Sequence, residues 1–191
     1  MAEDLTEIRW HGRGGQGAKT AATMVAEAAL DEGKFSQGFP EYGPERMGAP
    51  IRGYTRIAQV PIRLHCPINA PDVVVVLDPT LLTSANCASG LKPDGAIIVN
   101  TQETPADIRA KLGVTHGKVY TVDATTIAIE EIGRPIPNTP MIGALVKVSG
   151  AMELDTIFHD IEKKFLKKLG ERGVQGNVKA VQRAYEEVQG E

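Results

Sequence analysis

A strand, a glycine-rich turn and a helix follow one another at the start of the chain, and this succession limits the fold more than any other feature. Leu5–His11 alternates apolar and polar residues, which predicts a strand. The next six residues read GRGGQG and fit the pattern G-x-G-x-x-G. Ala18–Leu30 is rich in Ala, Met, Val and Leu without a helix breaker, so it predicts a helix. This arrangement opens a βαβ unit and favours an α/β fold.

The same alternation of strands and helices continues along the chain. Further strands are predicted at residues 34–39, 72–78, 96–99 and 118–122, and a hairpin is predicted from residues 51–57 and 62–64. Further helices are predicted at residues 79–88, 105–112, 124–132, 141–150, 154–169 and 174–188. The apolar run Val73–Leu77 is typical of a strand buried on both faces of a parallel sheet. We therefore predict one domain over residues 1–191, with a Rossmann-like, mostly parallel sheet, helices on both faces and an antiparallel edge hairpin.

Composition and charge argue against several classes of function. The net charge of −3 gives no general attraction to nucleic acid or to anionic lipid. The longest apolar run is far shorter than the roughly 20 residues of a membrane span, and the first residues lack a signal-peptide core. We expect a cytoplasmic protein that binds neither nucleic acid nor membrane. The two cysteines, Cys66 and Cys87, and the four histidines show no metal-ligand spacing, so we expect no metal site.

The glycine turn predicts a binding site for an anion. Glycines let backbone N–H groups turn towards a ligand, and the N-terminus of the following helix adds partial positive charge. Two basic side chains, an arginine in the turn and a lysine in the first helical turn, add full charges. The glycines equally suit a tight turn that needs them for steric reasons alone, and this interpretation stays open. The candidate binding residues are Gly12, Arg13, Gly14, Gly15, Gln16, Gly17 and Lys19.

Two familiar nucleotide sites fit this turn less well. A dinucleotide site needs an acidic residue at the end of the second strand for a ribose hydroxyl, and the sequence offers none before Glu41. A nucleotide-hydrolysing loop needs lysine directly after its last glycine, whereas Ala18 stands between Gly17 and Lys19. A free-standing dinucleotide-binding oxidoreductase is kept as the alternative. A phosphate-bearing ligand that is bound without hydride transfer or hydrolysis fits better.

Three sequence blocks together resemble one protein family. The first is His11–Ala21, which reads HGRGGQGAKTA; the second is Phe39–Pro50, which reads FPEYGPERMGAP; the third is Asn138–Ala144, which reads NTPMIGA. Their order and spacing resemble those of the gamma subunits of pyruvate and related 2-oxoacid:ferredoxin oxidoreductases. The resemblance covers nearly the whole chain.

The resemblance implies a division of labour among subunits. Thiamine diphosphate is expected between alpha- and beta-type subunits, and iron–sulfur clusters in beta- and delta-type subunits. The gamma-type chain is expected to help bind coenzyme A together with its partners, without being the catalyst. The complex would oxidatively decarboxylate a 2-oxoacid, giving acyl-CoA, carbon dioxide and reduced ferredoxin; pyruvate is favoured, and other 2-oxoacids stay open. A purely structural subunit, whose glycine turn packs against a neighbour, is a further interpretation.

The second and third blocks contribute further candidate residues for coenzyme A. Arg46 lies in the second block, and its planar guanidinium suits a phosphate group. The arginines of this segment could instead pair with Glu41, with Glu45 or with acids of partner subunits. Asn138 and Thr139 begin the third block, where they either cap the following helix or face the ligand. The arginines that accompany Arg46 are Arg52, Arg56 and Arg63.

Overall fold

The computed structural model describes residues 5–41 and 48–191. Within these residues the strands are β1 (Leu5–Arg13), β2 (Phe35–Pro40), β3 (Pro50–Ala58), β4 (Val73–Val76), β5 (Ala96–Asn100), β6 (Lys118–Val122) and β7 (Gln189–Gly190). The helices are α1 (Ala18–Asp31), α2 (Leu81–Ser84), α3 (Pro105–Leu112), α4 (Ala124–Ile132), α5 (Asn138–Ser149) and α6 (Leu154–Glu187). The bounds of α4 and β6 agree residue for residue with the sequence prediction.

The strands form one sheet in the order β2-β3-β1-β4-β5-β6-β7. The central strands β1, β4, β5 and β6 run parallel to one another. β3 lies antiparallel to both β1 and β2, and β7 lies antiparallel to β6 at the opposite edge. The predicted Rossmann-like α/β fold with an antiparallel edge is therefore confirmed.

The antiparallel edge is built from other segments than the sequence predicts. Residues 62–64 form no strand, because β3 already pairs along its length with β1 on one side and with β2 on the other. The predicted helix at residues 79–88 shrinks to the single turn of α2. The chain leaves the helix at Asn86, which has a positive φ of 44°. The carbonyl oxygens of Cys87 and Ser89 then turn inwards and accept hydrogen bonds from the buried Arg9 guanidinium.

Helices cover both faces of the sheet. α1, α4, α5 and α6 pack on one face, against residues that include Val73 and Val75. α2 and α3 pack on the other face, against Val74 and Val76. The alternation along β4 follows from the strand period of two residues, and each fully buried valine contributes about 2 kcal/mol.

The ends of several helices follow rules that are readable from the sequence. Asp123 caps α4 by accepting a hydrogen bond from the Thr126 backbone N–H at 3.1 Å. The two predicted C-terminal helices are both present within α6, and Gly170, with a non-helical φ of 66° and ψ of -179°, separates them at a kink. Nowhere in residues 5–41 and 48–191 is a helix both long and apolar enough to cross a bilayer.

Gly143 permits the close approach of α5 and α6. A Cβ atom at this position would lie 2.1 Å from the carbonyl oxygen of Val181. Gly143→Ala should lower the free energy of unfolding by about 1–3 kcal/mol, because this overpacking outweighs the better helix propensity of alanine. Urea titration of the purified chain measures the change. Lys179→Ala, at an exposed position of α6, should change it by less than about 0.5 kcal/mol; equal stabilities of Gly143→Ala and the parent would contradict this packing.

Candidate functional site

The glycine loop, residues 12–17, lies where β1 ends and α1 begins. Gly15 and Gly17 adopt left-handed conformations with φ of 100° and 84°, which side chains other than glycine rarely adopt. The Gln16 backbone N–H donates to the Arg13 carbonyl oxygen at 3.0 Å and closes the turn. α1 starts at Ala18, and its N-cap residue, Gly17, has no side chain that could cap the helix. Because the first N–H groups of a helix lack intrahelical acceptors, this end of α1 can donate to an anion.

One carboxylate braces the glycine loop. Oδ2 of Asp78, two residues beyond β4, accepts hydrogen bonds from Arg13 Nε at 3.1 Å and from Gln16 Nε2 at 2.8 Å. Oδ1 accepts from the backbone N–H and the hydroxyl of Thr80 at 2.9 and 2.6 Å. Burial raises the pKa of Asp78, but the hydrogen bonds from Thr80 and Gln16 and the charge of Arg13 outweigh burial, so the net shift is downwards. Asp78 is therefore ionised and fully engaged within the loop.

The side chains of Arg13 and Gln16 are occupied by the protein itself. Arg13 also donates to Thr80 Oγ1 at 2.9 Å, and Gln16 Oε1 accepts from the Arg13 backbone N–H at 2.7 Å. A backbone hydrogen bond also holds the loop to the segment before β3, because the Gly48 N–H donates to the Gly14 carbonyl oxygen. Because the backbone N–H groups of Arg13, Gly14 and Gln16 are bonded within the protein as well, a ligand is left chiefly with the N–H groups at the start of α1; direct ligand contacts of Arg13 and Gln16 stay a prediction.

A second helix N-terminus meets the first one at Gly17. A Cβ atom on Gly17 would lie 2.7 Å from Nδ2 of Asn138, the first residue of α5. The N-cap of α5 is Pro137, and no side chain caps the helix, so the capping interpretation of Asn138 and Thr139 is wrong. Asn138 is 9% exposed and Thr139 is 3% exposed. Within the described parts of the chain, the Asn138 side-chain amide makes no hydrogen bond, which leaves it able to contact a ligand.

The two remaining candidate binding residues, Lys19 and Arg46, differ in whether the structure describes them. Lys19 is exposed in the first turn of α1, beside the loop backbone. Arg46 lies outside the described residues, so its position is not part of the site geometry. The structure therefore brings together the glycine loop, Lys19, Asn138 and Thr139 at the paired N-termini of α1 and α5.

Two of the other arginines form ion pairs within the chain. Arg52 Nη1 lies 3.6 Å from the Glu41 carboxylate. Arg56 is 1% exposed, donates to Glu7 at 2.8 Å and to the Cys66 carbonyl oxygen at 2.8 Å, and lies over the Phe39 ring. Pairing within the chain, which the sequence left open, occurs for both arginines; Arg52 has the expected partner Glu41, whereas the partner of Arg56 is Glu7.

A buried polar cluster below the glycine loop was not predicted from the sequence. The Arg9 guanidinium donates from Nε to His11 Nε2 at 3.0 Å and from Nη2 to the Cys87 carbonyl oxygen at 3.0 Å. Burial, followed by the charges of Arg9 and Arg52, lowers the pKa of His11 to about 3, so the imidazole is neutral. Burial raises the pKa of Cys87 to about 11, which keeps it a thiol. The alternation of arginine and histidine along β1 was the signal for this cluster.

The geometry does not favour a dinucleotide site. Glu41 follows β2, but β3 separates β2 from β1, so this carboxylate does not lie at the end of a neighbouring parallel strand. The Glu41 carboxylate instead accepts a hydrogen bond from the Tyr54 hydroxyl at 2.6 Å. The parallel neighbour of β1 is β4, and the acid that follows it, Asp78, is engaged by the loop.

Comparison with known proteins gives one consistent result. A family model described as pyruvate ferredoxin/flavodoxin oxidoreductase matches residues 7–187. The chain is 52% identical to the pyruvate synthase subunit PorC of Thermotoga maritima, over 98% of this chain and 97% of that protein. It is 48% identical to the pyruvate/ketoisovalerate oxidoreductases common subunit gamma of Pyrococcus abyssi, over 97% and 98% of the two chains.

Solved structures agree with these sequence relatives. The crystal structure of pyruvate oxidoreductase subunit PORC from Thermotoga maritima matches with a TM-score of 0.87 and 48% identity, and 98% of each chain is covered. A 2-oxoglutarate:ferredoxin oxidoreductase from Magnetococcus marinus, with 2-oxoglutarate, coenzyme A and succinyl-CoA bound, matches with a TM-score of 0.76. That match is 21% identical and covers 95% of this chain and 30% of the other, so it shows the fold alone.

Asp78→Asn tests the brace on the glycine loop. Either orientation of the new amide places an NH₂ group against at least one N–H donor, of Thr80 or of Arg13 and Gln16, so we expect a loss of about 1–3 kcal/mol in the free energy of unfolding. Hydrogen exchange at residues 12–17 should become faster. Asp94→Asn, at an exposed turn position, is the matched control and should change neither quantity. Unchanged exchange in Asp78→Asn would mean that the loop holds its shape without the carboxylate.

His11 should make the stability of the chain depend on pH. Its folded pKa of about 3 lies below its ordinary value of 6.5, so below pH 6.5 the unfolded chain takes up a proton that the folded chain does not. Stability should therefore fall with falling pH, by up to about 1.4 kcal/mol per pH unit. In His11→Gln, whose side-chain oxygen can still accept from Arg9, urea titrations between pH 7 and pH 5 should show a flatter dependence. A slope equal to that of the parent and of the exposed control His159→Gln would contradict a buried neutral imidazole.

Proposed function

The chain belongs to the pyruvate ferredoxin/flavodoxin oxidoreductase family, and we propose that it is the gamma-type subunit of a pyruvate:ferredoxin oxidoreductase. The observation that carries the proposal is the near full-length similarity to both a PorC subunit and a common gamma subunit. The whole chain, residues 1–191, serves in this proposal as one gamma-type domain. The complex decarboxylates pyruvate oxidatively with coenzyme A and yields acetyl-CoA, carbon dioxide and reduced ferredoxin.

The chain itself acts as a binding and assembly subunit. The cysteines Cys66 and Cys87 are too few for the roughly four ligands of an iron–sulfur cluster. Two titratable groups beside the glycine loop each keep one protonation state, since Asp78 stays ionised in its hydrogen bonds and His11 stays neutral. In our proposal thiamine diphosphate and the iron–sulfur clusters belong to alpha-, beta- and delta-type partners, and ferredoxin docks on the complex, which operates in the cytoplasm.

Coenzyme A is the ligand that we assign to the paired N-termini of α1 and α5. Its diphosphate is an anion of the kind that free helical N–H groups bind without any catalytic side chain. Both helices would direct their positive ends at the same ligand, since Asn138 of α5 touches Gly17 of the loop. Related enzyme chemistry supports this choice, because coenzyme A is bound in the 2-oxoglutarate:ferredoxin oxidoreductase from Magnetococcus marinus.

The roles of the candidate residues follow from their positions. In our proposal Gly12, Gly14, Gly15 and Gly17 form the loop that approaches the phosphate, with open space beside Gly15, while Arg13 and Gln16 fix the loop through Asp78. Lys19 supplies positive charge at the start of α1. Asn138 has an uncommitted amide within the described residues and can donate to a phosphate oxygen. Arg46 and Thr139 complete the proposed set.

The alternative, a free-standing dinucleotide-binding oxidoreductase, is not favoured. The family membership and the position of Glu41 away from β1 both argue against it. Purification of the chain by itself provides a direct check. Stoichiometric flavin or nicotinamide in the purified chain, or turnover of pyruvate by the chain alone, would contradict the subunit assignment.

Titration of the assembled complex with coenzyme A tests the binding role. Asn138→Ala removes a donor to a charged phosphate, a hydrogen bond of about 1.5–3 kcal/mol, so the dissociation constant should rise roughly tenfold or more. Lys19→Ala should raise it several-fold, and this increase should shrink at high salt because screening already weakens the contact.

The control for this titration is Lys179→Ala, which changes an exposed lysine of α6 away from the loop. Its complex should bind coenzyme A as the parent does. If Asn138→Ala and Lys19→Ala also bind with parental affinity, the glycine loop serves packing and the coenzyme A role of this chain is wrong.

A further inference from the structure

A groove between α1 and α6 begins beside the glycine loop. Its volume is about 510 Å³, and it is open to solvent. We call it the lysine groove, after the basic side chains among its lining residues. These include Lys19, Thr23 and Glu27 from α1 and Lys164, Phe165 and Lys168 from α6.

The ion pairs between the two helices fix their relative direction. Lys163 of α6 pairs with Asp31 of α1 at 3.3 Å. The next lysine of α6, Lys164, pairs with Glu27, which lies four residues before Asp31 in α1. The helices are therefore antiparallel along the groove. Lys168 follows Lys164 by about one helical turn, so it lies towards the N-terminus of α1. The groove leads from the proposed diphosphate site to the ammonium group of Lys168.

The charges along the lysine groove are unequally compensated. The Lys164 ammonium is held by Glu27 and by Asp160, whose carboxylate is 2.7 Å away and 2% exposed at its side chain. Lys168 is exposed and forms no ion pair with the residues of ranges 5–41 and 48–191. Lys19 also lines the groove at its loop end. The positive charge of Lys168 is thus one that no carboxylate of these residues compensates.

We propose that the lysine groove binds the 3′-phosphate of coenzyme A, with Lys168 as its principal contact. The inference rests on the proposed function, because the diphosphate must first occupy the N-termini of α1 and α5. Coenzyme A carries its 3′-phosphate on the ribose next to that diphosphate, so one groove can receive both anions. The hydroxyl of Thr23 can donate to the phosphate, and Phe165 offers an apolar wall to the adenosine.

This assignment makes Lys168 a determinant of ligand choice. Dephospho-coenzyme A lacks only the 3′-phosphate, so it can use the glycine loop but gains nothing from Lys168. A charge-assisted contact to phosphate is strong enough for roughly tenfold discrimination. Replacement of Lys168 should therefore change the affinity for coenzyme A and not the affinity for dephospho-coenzyme A. If Lys168 had a merely structural role, its replacement would change both affinities alike.

The test is a titration of the assembled complex with coenzyme A and with dephospho-coenzyme A. Lys168→Ala should weaken coenzyme A binding roughly tenfold and leave dephospho-coenzyme A unchanged. Lys167→Ala, the exposed neighbour that does not line the groove, is the matched control and should alter neither affinity. The proposal is overturned if Lys168→Ala weakens both ligands equally or weakens neither.

Size-exclusion chromatography of the Lys168→Ala complex completes the test. We expect a normal assembly; a complex that falls apart would show that Lys168 binds a partner chain, which also overturns the proposal. Failure here is distinguishable from failure of the proposed function. If Asn138→Ala weakens both ligands while Lys168→Ala has no effect, coenzyme A binds at the loop and only the 3′-phosphate assignment falls.

Discussion

The hydrogen bonds to the Asp78 carboxylate are the interactions on which the shape of the glycine loop depends. This carboxylate stands just beyond β4, and it accepts from Arg13, Gln16 and Thr80 at once. This arrangement couples the end of one parallel strand to the turn that follows its neighbour, so the loop has a single shape before any ligand arrives. A loop fixed in advance loses less conformational entropy on binding, and that saving raises ligand affinity.

Most of the basic side chains near the site serve the protein rather than a ligand. Arg9, Arg13 and Arg56 are bonded to carbonyl oxygens, to His11 or to carboxylates of the same chain. The positive field that remains comes from helix N-termini and lysines, which can hold a phosphate. A chain built in this way suits the binding of a cofactor whose reaction takes place on other polypeptides.

The sequence predicted regular elements well where local signals were strong. The buried Val-rich strand and the helix after the glycines depend on neighbouring residues, and both predictions are confirmed. The pairing of β3 with β1 and β2, the shortened α2 and the role of Asn138 depend on residues distant in the chain. For Asn138 the sequence leaves a helix cap and a ligand contact open, because Pro140 follows it closely, and its contact with Gly17 exists only once α5 packs against α1. Periodicity carries no information about such contacts.

Hydrogen exchange on the assembled complex, with and without coenzyme A, measures whether this chain holds the cofactor. Bound phosphate should slow exchange of the backbone amides at the start of α1 and at the start of α5 together, since both helix ends are proposed to donate to one ligand. If coenzyme A instead protects only partner subunits and leaves exchange in residues 12–20 and 138–142 unchanged, this chain does not bind the cofactor.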